Sequence, residues 1–360
     1  MRKWVGHTLL RQLLLPALCW VGACADVAPD AEPPAPIGKP FHYPMDDVLT
    51  LSHVQVRGTH NSYHVDSHNK GFAPWSYTHR PLYEQLDRLG IRQIELDVNP
   101  DDEDGLAVYH VIGVDEGTRC RKLSDCLADI RRFSDAYPGH LPLYVQIEPK
   151  GDMQADQIEP FLQQLEAAIL AAFPRPRVVT PDEVRGDAAT LIDAVKTRGW
   201  PTLARLRGRV LFALDNTSDV RRVYTHGGRD LNGRLLFVDS GPDDPFGAVA
   251  VLNDPPPAGK ADLFARALSA QMLIRSRADS DTDEAQTNDT RRGTDALASG
   301  AHFISTDFPE ADPPLIYRFV VPGGTPARCN PITAPTVCTS LALEDPAFVG
   351  SAATPVDPSR

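Results

Sequence analysis

The sequence predicts a closed (β/α)8 barrel of the TIM type, and three observations carry that prediction. Apolar runs rich in β-branched residues recur eight times along the chain, and several of the segments between them repeat apolar residues at helical spacing. The first run is followed by "RGTHNS" rather than by a glycine-rich phosphate loop. Strands alternating with helices call for a parallel sheet, eight units suffice to close it, and the absent phosphate loop weighs against an open doubly wound sheet.

The elements follow in chain order. Val54–Val56 is the first expected strand and Ile91–Val98 the second. Between them Pro81 suits the first turn of a helix whose inward face is Leu82, Leu86 and Leu89. Ser124 suits the N-cap of a helix bearing Leu127, Ile130 and Phe133. The third strand is Leu143–Ile147, after which Ile158, Phe161, Leu162, Leu165 and Ile169 make the clearest amphipathic stripe in the chain. Val210–Leu214, Leu235–Val238, Ala248–Leu252, Met272–Ile274 and His302–Ser305 complete the set of strands. Connections between Leu231 and Ser276 are short, so the later half of the barrel is expected to be irregular.

Acids outnumber bases 48 to 36, a formal charge of −12. That balance weighs against nucleic acid and against general adsorption to anionic membranes, so an anionic substrate must meet a local cluster of positive charge. Arg2, Lys3 and Arg11 precede an uncharged run from Leu13 to Cys24, too short to span a bilayer and suited to a signal segment. Its end, Val21-Gly22-Ala23-Cys24, resembles a bacterial lipobox, in which the cysteine is lipidated; cleavage near Ala25 as an ordinary signal peptide is the alternative. Removing Cys19 with the signal and pairing Cys120 with Cys126 and Cys329 with Cys338 leaves Cys24 odd, and a lipid would account for it. Disulfides fit export. The expected organisation is a signal segment at 1–24, a flexible tether at 25–45, the barrel at 46–312 and a Pro-rich, disulfide-stapled tail at 313–360. The expected location is outside the cytoplasm, anchored through Cys24 or else secreted.

Function in such a barrel collects at the C-terminal ends of the strands. Those ends carry His60-Asn61, then Glu95 with Asp97, then His110 in the loop beyond, then Glu148 with Lys150. Glu95 and Asp97 lie two apart on a strand and share a face, where paired carboxylates repel unless a cation binds them. With Glu148 and the Asn61 amide oxygen they form a hard, all-oxygen set that suits Ca2+ or Mg2+ better than Zn2+. Lys150, Arg275 and Arg277 are the expected contacts for an anionic headgroup or phosphate, with a salt-bridged surface role as the alternative. His53, His60, His64 and His68 crowd one short window, but Gly58 and the strand end argue against a metal-binding helix; only His60 is assigned a task. Asp307 follows the last strand, where it would hold Arg275 or another active-site group. The run Asp101, Asp102, Glu103, Asp104 reads as a solvated turn, and Phe72, Trp75 and Tyr77 either meet a membrane interface or cap the barrel.

The motifs "GTHNSY", "IELDV", "VYH" and "VQIEPK", in that order, resemble the X-type catalytic barrel of the Ca2+-dependent phosphatidylinositol-specific phospholipases C. "CRKLSDCLADI", "IRSRAD" and "GAHFISTDFP" extend the resemblance toward the compact bacterial branch, from about Leu51 to Pro309. The resemblance implies His60 and His110 as the catalytic pair and Asn61, Glu95, Asp97 and Glu148 as calcium ligands. The chain departs from the family in following His110 with Val111 where glycine is usual. The implied reaction is attack of an inositol 2-hydroxyl on the adjacent phosphorus of a membrane phospholipid, releasing diacylglycerol and an inositol cyclic phosphate. It needs a base on the hydroxyl, an acid on the leaving oxygen and positive charge on the phosphoryl oxygens. A glycerophosphodiester phosphodiesterase on the same barrel is the rival enzyme, though its first motif pairs histidine with Arg-Gly, and a degenerate barrel acting as a lipoprotein binding module is the rival without activity. Nothing in the sequence points to a protein partner.

Overall fold

The barrel begins with Val54–Thr59 (β1), and its next strands are Gln93–Asp101 (β2), Leu143–Pro149 (β3) and Val210–Leu214 (β4). Phe237–Val238 (β5), Val249–Val251 (β6), Leu273–Arg277 (β7) and Phe303–Thr306 (β8) follow. The computed structural model describes residues 43–66, 73–101, 105–323 and 326–344. The signal segment with Cys24, most of the tether, His68, Phe72, Asp102, Glu103 and Asp104 lie outside the described residues. All eight strands fall where the apolar runs put them, and successive strands pair in parallel from β1 to β5 and from β6 to β8. β8 returns to β1, with Val56 opposite Phe303.

The seam between β5 and β6 is the thinnest part of the ring. It is one parallel bridge, Asp239 to Val249, reinforced by the Asp239 carboxylate accepting from the Val251 amide at 2.8 Å. This is the irregular later half that the short connections predicted, since β5 has two residues and β6 three.

The early strands are apolar on both faces because helices cover the outside and side chains fill the inside. Every residue of β4 is buried. Tyr144 of β3 stacks on Phe303 of β8 with ring centroids 4.3 Å apart, a contact that crosses the interior because three strand steps separate the two around the ring. Gly58 is needed on β1: a Cβ there would lie 1.7 Å from the Gln93 side-chain oxygen that fills the space. Outside, Leu82–Arg88 (α1) and Leu123–Ala136 (α2) precede Ala155–Ala172 (α3), whose buried face is the predicted stripe Ile158, Phe161, Leu162, Leu165 and Ile169. Pro81 caps α1 rather than entering it, and α2 starts one residue before Ser124, with Lys122 at the cap.

Both predicted cysteine pairs are bonded, Cys120 to Cys126 and Cys329 to Cys338. The tail packs on the barrel: Ala327–Cys329 runs antiparallel to the start of β1, and Tyr317 and Phe319 are buried. At the N-terminal end of the barrel the buried Glu344 carboxylate receives both Nε (2.8 Å) and a terminal nitrogen (2.6 Å) of Arg92. Asp46 holds Arg207 in the same bidentate way. No helix among the described residues is long and apolar enough to cross a membrane.

Candidate active site

At the end of β1 the chain turns on Asn61, whose φ of 41° lies in the left-handed region that asparagine tolerates better than most residues. The turn sets His60 against the end of β8. Its Nδ1 lies 2.8 Å from the Asp307 carboxylate, which also receives Arg277 at 3.0 Å, while its Nε2 lies 3.9 Å from Glu95. Burial and then the Arg277 charge lower the His60 pKa, against the opposing pull of Asp307 and Glu95. Burial works to raise the Asp307 carboxyl, but His60 and Arg277 hold it well below the carboxylate range. Asp307 therefore acts as the orienting carboxylate of His60.

Glu95 and Asp97 share one face of β2, and the β2–β3 register sets Asp97 directly opposite Glu148. The Ser62 hydroxyl accepts from the Glu95 amide at 2.9 Å, tying the His60 turn to β2. The Glu95 carboxylate receives Arg275, which also bonds the Asn253 side chain and is 1% exposed. Lys150 Nζ stands between two carboxylates, 2.6 Å from Glu148 and 3.1 Å from Asp97. Burial and the neighbouring Glu148 push the Asp97 carboxyl well up, with Lys150 opposing.

A residue outside the predicted set completes the cluster. Asp215, immediately after β4, brings a carboxylate oxygen into a group with Glu95 and Glu148 whose oxygens lie within 4.8 Å of one another. Burial, then Glu95 and Glu148, push its pKa up to about 7, and Gln146 donates to it at 2.7 Å. The signal for Asp215 was present in "VLFALD": an acid directly after a predicted strand, at the C-terminal strand end where Asn61, Asp97 and Glu148 were also found. Asp97 stands beside this group with its carboxylate turned to Lys150. Among the described residues, Asn61 Oδ1 and Asp97 Oδ1 are buried without a hydrogen bond, while Asp97 Oδ2 has the Lys150 ion pair. Clustered carboxylates with unsatisfied buried oxygens fit a hard divalent cation, which would supply the missing partners.

His110 lies beyond the short strand Gly105–Val108, in a turn where Val111 and Asp115 pair through backbone bonds of 2.9 and 2.7 Å. The turn folds Asp115 back so that its carboxylate lies 2.9 Å from His110 Nδ1. Val111, the departure from the family pattern, is thus one half of the pair that closes the turn. Burial would raise the Asp115 carboxyl, but hydrogen bonds from His110 and His64 bring it down to about 2. Each of the two histidines proposed from the motifs thus has a carboxylate on Nδ1. The Trp75 ring meets the His110 ring edge-on at 5.0 Å, and Tyr77 is buried.

The sequence profile described as "Phosphoinositide phospholipase C, Ca2+-dependent" matches residues 49–107 and 101–331. The chain belongs to that family. Its members are Ca2+-dependent phospholipase C enzymes, and calcium is the cofactor that the carboxylate cluster fits. Among solved structures, the chain resembles the calcium-dependent phosphoinositol-specific phospholipase C of a Pseudomonas species in its apo form. That match has a TM-score of 0.53 at 17% identity over 74% of this chain and 93% of the other. It also resembles the Ca2+-dependent phosphatidylinositol-specific phospholipase C of Streptomyces antibioticus, with a TM-score of 0.52 at 18% identity over 72% and 95%. At such identities the structural likeness speaks for the barrel alone. A comparison with curated proteins finds no match.

Of the cations expected to meet substrate in this phospholipase C barrel, Arg275 is spent on Glu95 and Arg277 on Asp307, while Lys150, about a quarter exposed, is the most accessible.

Proposed function

We propose that the protein cleaves phosphatidylinositol-type lipids by attack of the inositol 2-hydroxyl on phosphorus, releasing diacylglycerol and an inositol cyclic phosphate. The observation that carries this reading is the pair of carboxylate-backed histidines, His60 with Asp307 and His110 with Asp115, in a barrel whose mouth also holds the acidic cluster. Asn61, Glu95, Asp97 and Glu148 would hold calcium, with Asp215 as an added ligand. Bound there, the ion lowers the pKa of the attacking hydroxyl and screens the phosphate. His60, whose Nδ1 donates to Asp307, donates from Nε2 to the phosphoryl oxygen in its imidazolium form, which the charge building on that oxygen favours. His110 gives its Nε2 proton to the leaving glycerol oxygen as the P–O bond breaks and the bonding pair stays on that oxygen. Glu95 or Glu148 takes the hydroxyl proton. Lys150 and Arg277 supply positive charge to an anionic headgroup in an otherwise acidic protein, and Arg275 holds Glu95 in place.

The lipid headgroup is inositol or a glycosylated relative, and the enzyme is exported, anchored through Cys24 or else secreted. A panel of phosphodiesters, turned over with and without Ca2+ and read by product mass, tests the reading. Inositol cyclic phosphate formed only with calcium is expected. Glycerol 3-phosphate released from a deacylated diester would instead identify a glycerophosphodiester phosphodiesterase.

A further inference from the structure

A third histidine, His64, reaches from the His60 loop to the His110 turn and has no counterpart in the reaction scheme. Its ring is 1% exposed. Nδ1 lies 2.9 Å from the Tyr77 carbonyl and Nε2 lies 3.0 Å from each oxygen of Asp115. Nδ1 thus faces the Tyr77 carbonyl and Nε2 the Asp115 carboxylate. One buried carboxylate, Asp115, therefore receives two imidazoles from two different loops, His64 and His110.

This sharing answers a mechanical problem. The turn that carries Asp115 is exposed at its apex, where Ile112 is 71% exposed, and the turn alone leaves the Asp115 carboxylate free to rotate. His64 sits on a segment fixed to the barrel: its carbonyl accepts from the His79 amide at 2.9 Å, and the nearby Ser62 amide donates to the Glu95 carbonyl at 3.0 Å. With Nε2 equidistant from both Asp115 oxygens, the carboxylate plane is held, and Oδ2 is presented to His110 Nδ1. That contact fixes which His110 nitrogen faces Asp115 and leaves Nε2 for proton transfer.

We propose that His64 is a positioning residue that acts through Asp115 on His110, the proton donor to the leaving group. The proposal rests on the reading of His110 given above. The imidazole is not what holds the two loops together. Val65 donates to the Gly117 carbonyl at 3.1 Å and Arg119 to the Tyr63 carbonyl at 2.7 Å, and this strap is close enough that a Cβ on Gly117 would fall 1.9 Å from the Val65 oxygen. Removing the His64 side chain leaves these backbone bonds in place.

The test compares two substrates that share the phosphoinositol group and differ in what leaves. Phosphatidylinositol expels an alkoxide that needs a proton, whereas the p-nitrophenyl ester of inositol phosphate expels a phenolate stable enough to depart without one. His110→Ala is expected to lose roughly 10²–10⁴-fold in kcat on the lipid and far less on the aryl ester. His64→Phe, which preserves ring volume beside Tyr77, is expected to show the same selective loss, on the order of 10²-fold in kcat with KM nearly unchanged. His64→Gln, which keeps a donor toward Asp115, is expected to recover part of it. His64→Asn, polar but too short to reach Asp115, gives the same comparison if phenylalanine does not fold there. Equal losses on both substrates in the folded His64 variants, or no loss on either, would overturn the positioning role. Equal losses in His110→Ala would instead overturn the assignment of His110 as the acid.

Discussion

His60 and His110 are each backed by a buried carboxylate, from Asp307 and Asp115, so the orientation of each imidazole is set before substrate arrives. His60→Ala and His110→Ala are each expected to lower kcat roughly 10²–10⁴-fold while the far-UV circular dichroism stays unchanged; full activity in both would sink the mechanism. Asp307→Asn keeps the shape but replaces an acceptor oxygen with a donor group beside Nδ1, and a kcat drop of at least about 10²-fold is expected, measured at saturating substrate. Asp215→Asn is expected to weaken calcium binding about 10–100-fold by calorimetry, since it removes a charged oxygen from the cluster. An unchanged affinity would exclude Asp215 from the site. At this scale the sequence was most legible for polar residues at or just past the C-terminal end of a strand: His60, Asn61, Asp97, Glu148 and, by the same rule, the overlooked Asp215. It was least legible for Asp115 and His64, which meet across 51 positions on two loops whose conformations no periodicity encodes.

Elements place these residues through register and turn geometry. The parallel β2–β3 pairing puts Asp97 opposite Glu148, and the alternation of strand side chains puts Glu95 on the same face as Asp97. The hydrophobic pattern predicted both strands, and their parallel pairing followed from the alternation with helices. The tail carries an element that composition did not suggest. Ala327–Cys329 extends the sheet beside β1, and Glu344 lies beneath it paired with the buried Arg92. Glu344→Gln leaves the Arg92 charge buried with a poorer partner, so a loss of about 3–5 kcal/mol is expected from urea denaturation. A change within experimental error would mean that the tail docks on apolar contacts alone.

The whole molecule combines a net negative charge with a set of buried histidines held neutral. Burial pushes His302 and His79 down to about 4 and His140 to about 3, from an ordinary value of 6.5. Unfolding restores the ordinary value, so below pH 6.5 the unfolded chain binds more protons than the folded one. Stability is therefore complete above pH 6.5 and falls as pH drops toward about 4, by up to roughly 1.4 kcal/mol per pH unit for each histidine. Urea midpoints measured across that window without calcium should decline with acidification, and a flat profile would contradict the burial of these rings. Chelation should suppress turnover, and Ca2+ should restore it better than Mg2+, because a site with several carboxylates suits the larger and more flexibly coordinated ion. Turnover insensitive to chelator would refute the metal site.

The sequence alone determined the barrel, its eight strands, the thin later half and the residues at the strand mouths. Strand periodicity and the position of a residue just past a strand are local properties, and a parallel barrel converts them directly into place. Only the tertiary structure decided which of those residues meet. Arg275 and Arg277 read as headgroup contacts with a salt-bridged role as the alternative, and they are paired with Glu95 and Asp307, because a buried charge requires a partner and the nearest carboxylates are supplied by other strands. The same holds for the histidines of "RGTHNSYH". His60 announced itself by its strand, whereas the meeting of His64 with Asp115 and His110 depends on how two loops pack, and no local pattern records that.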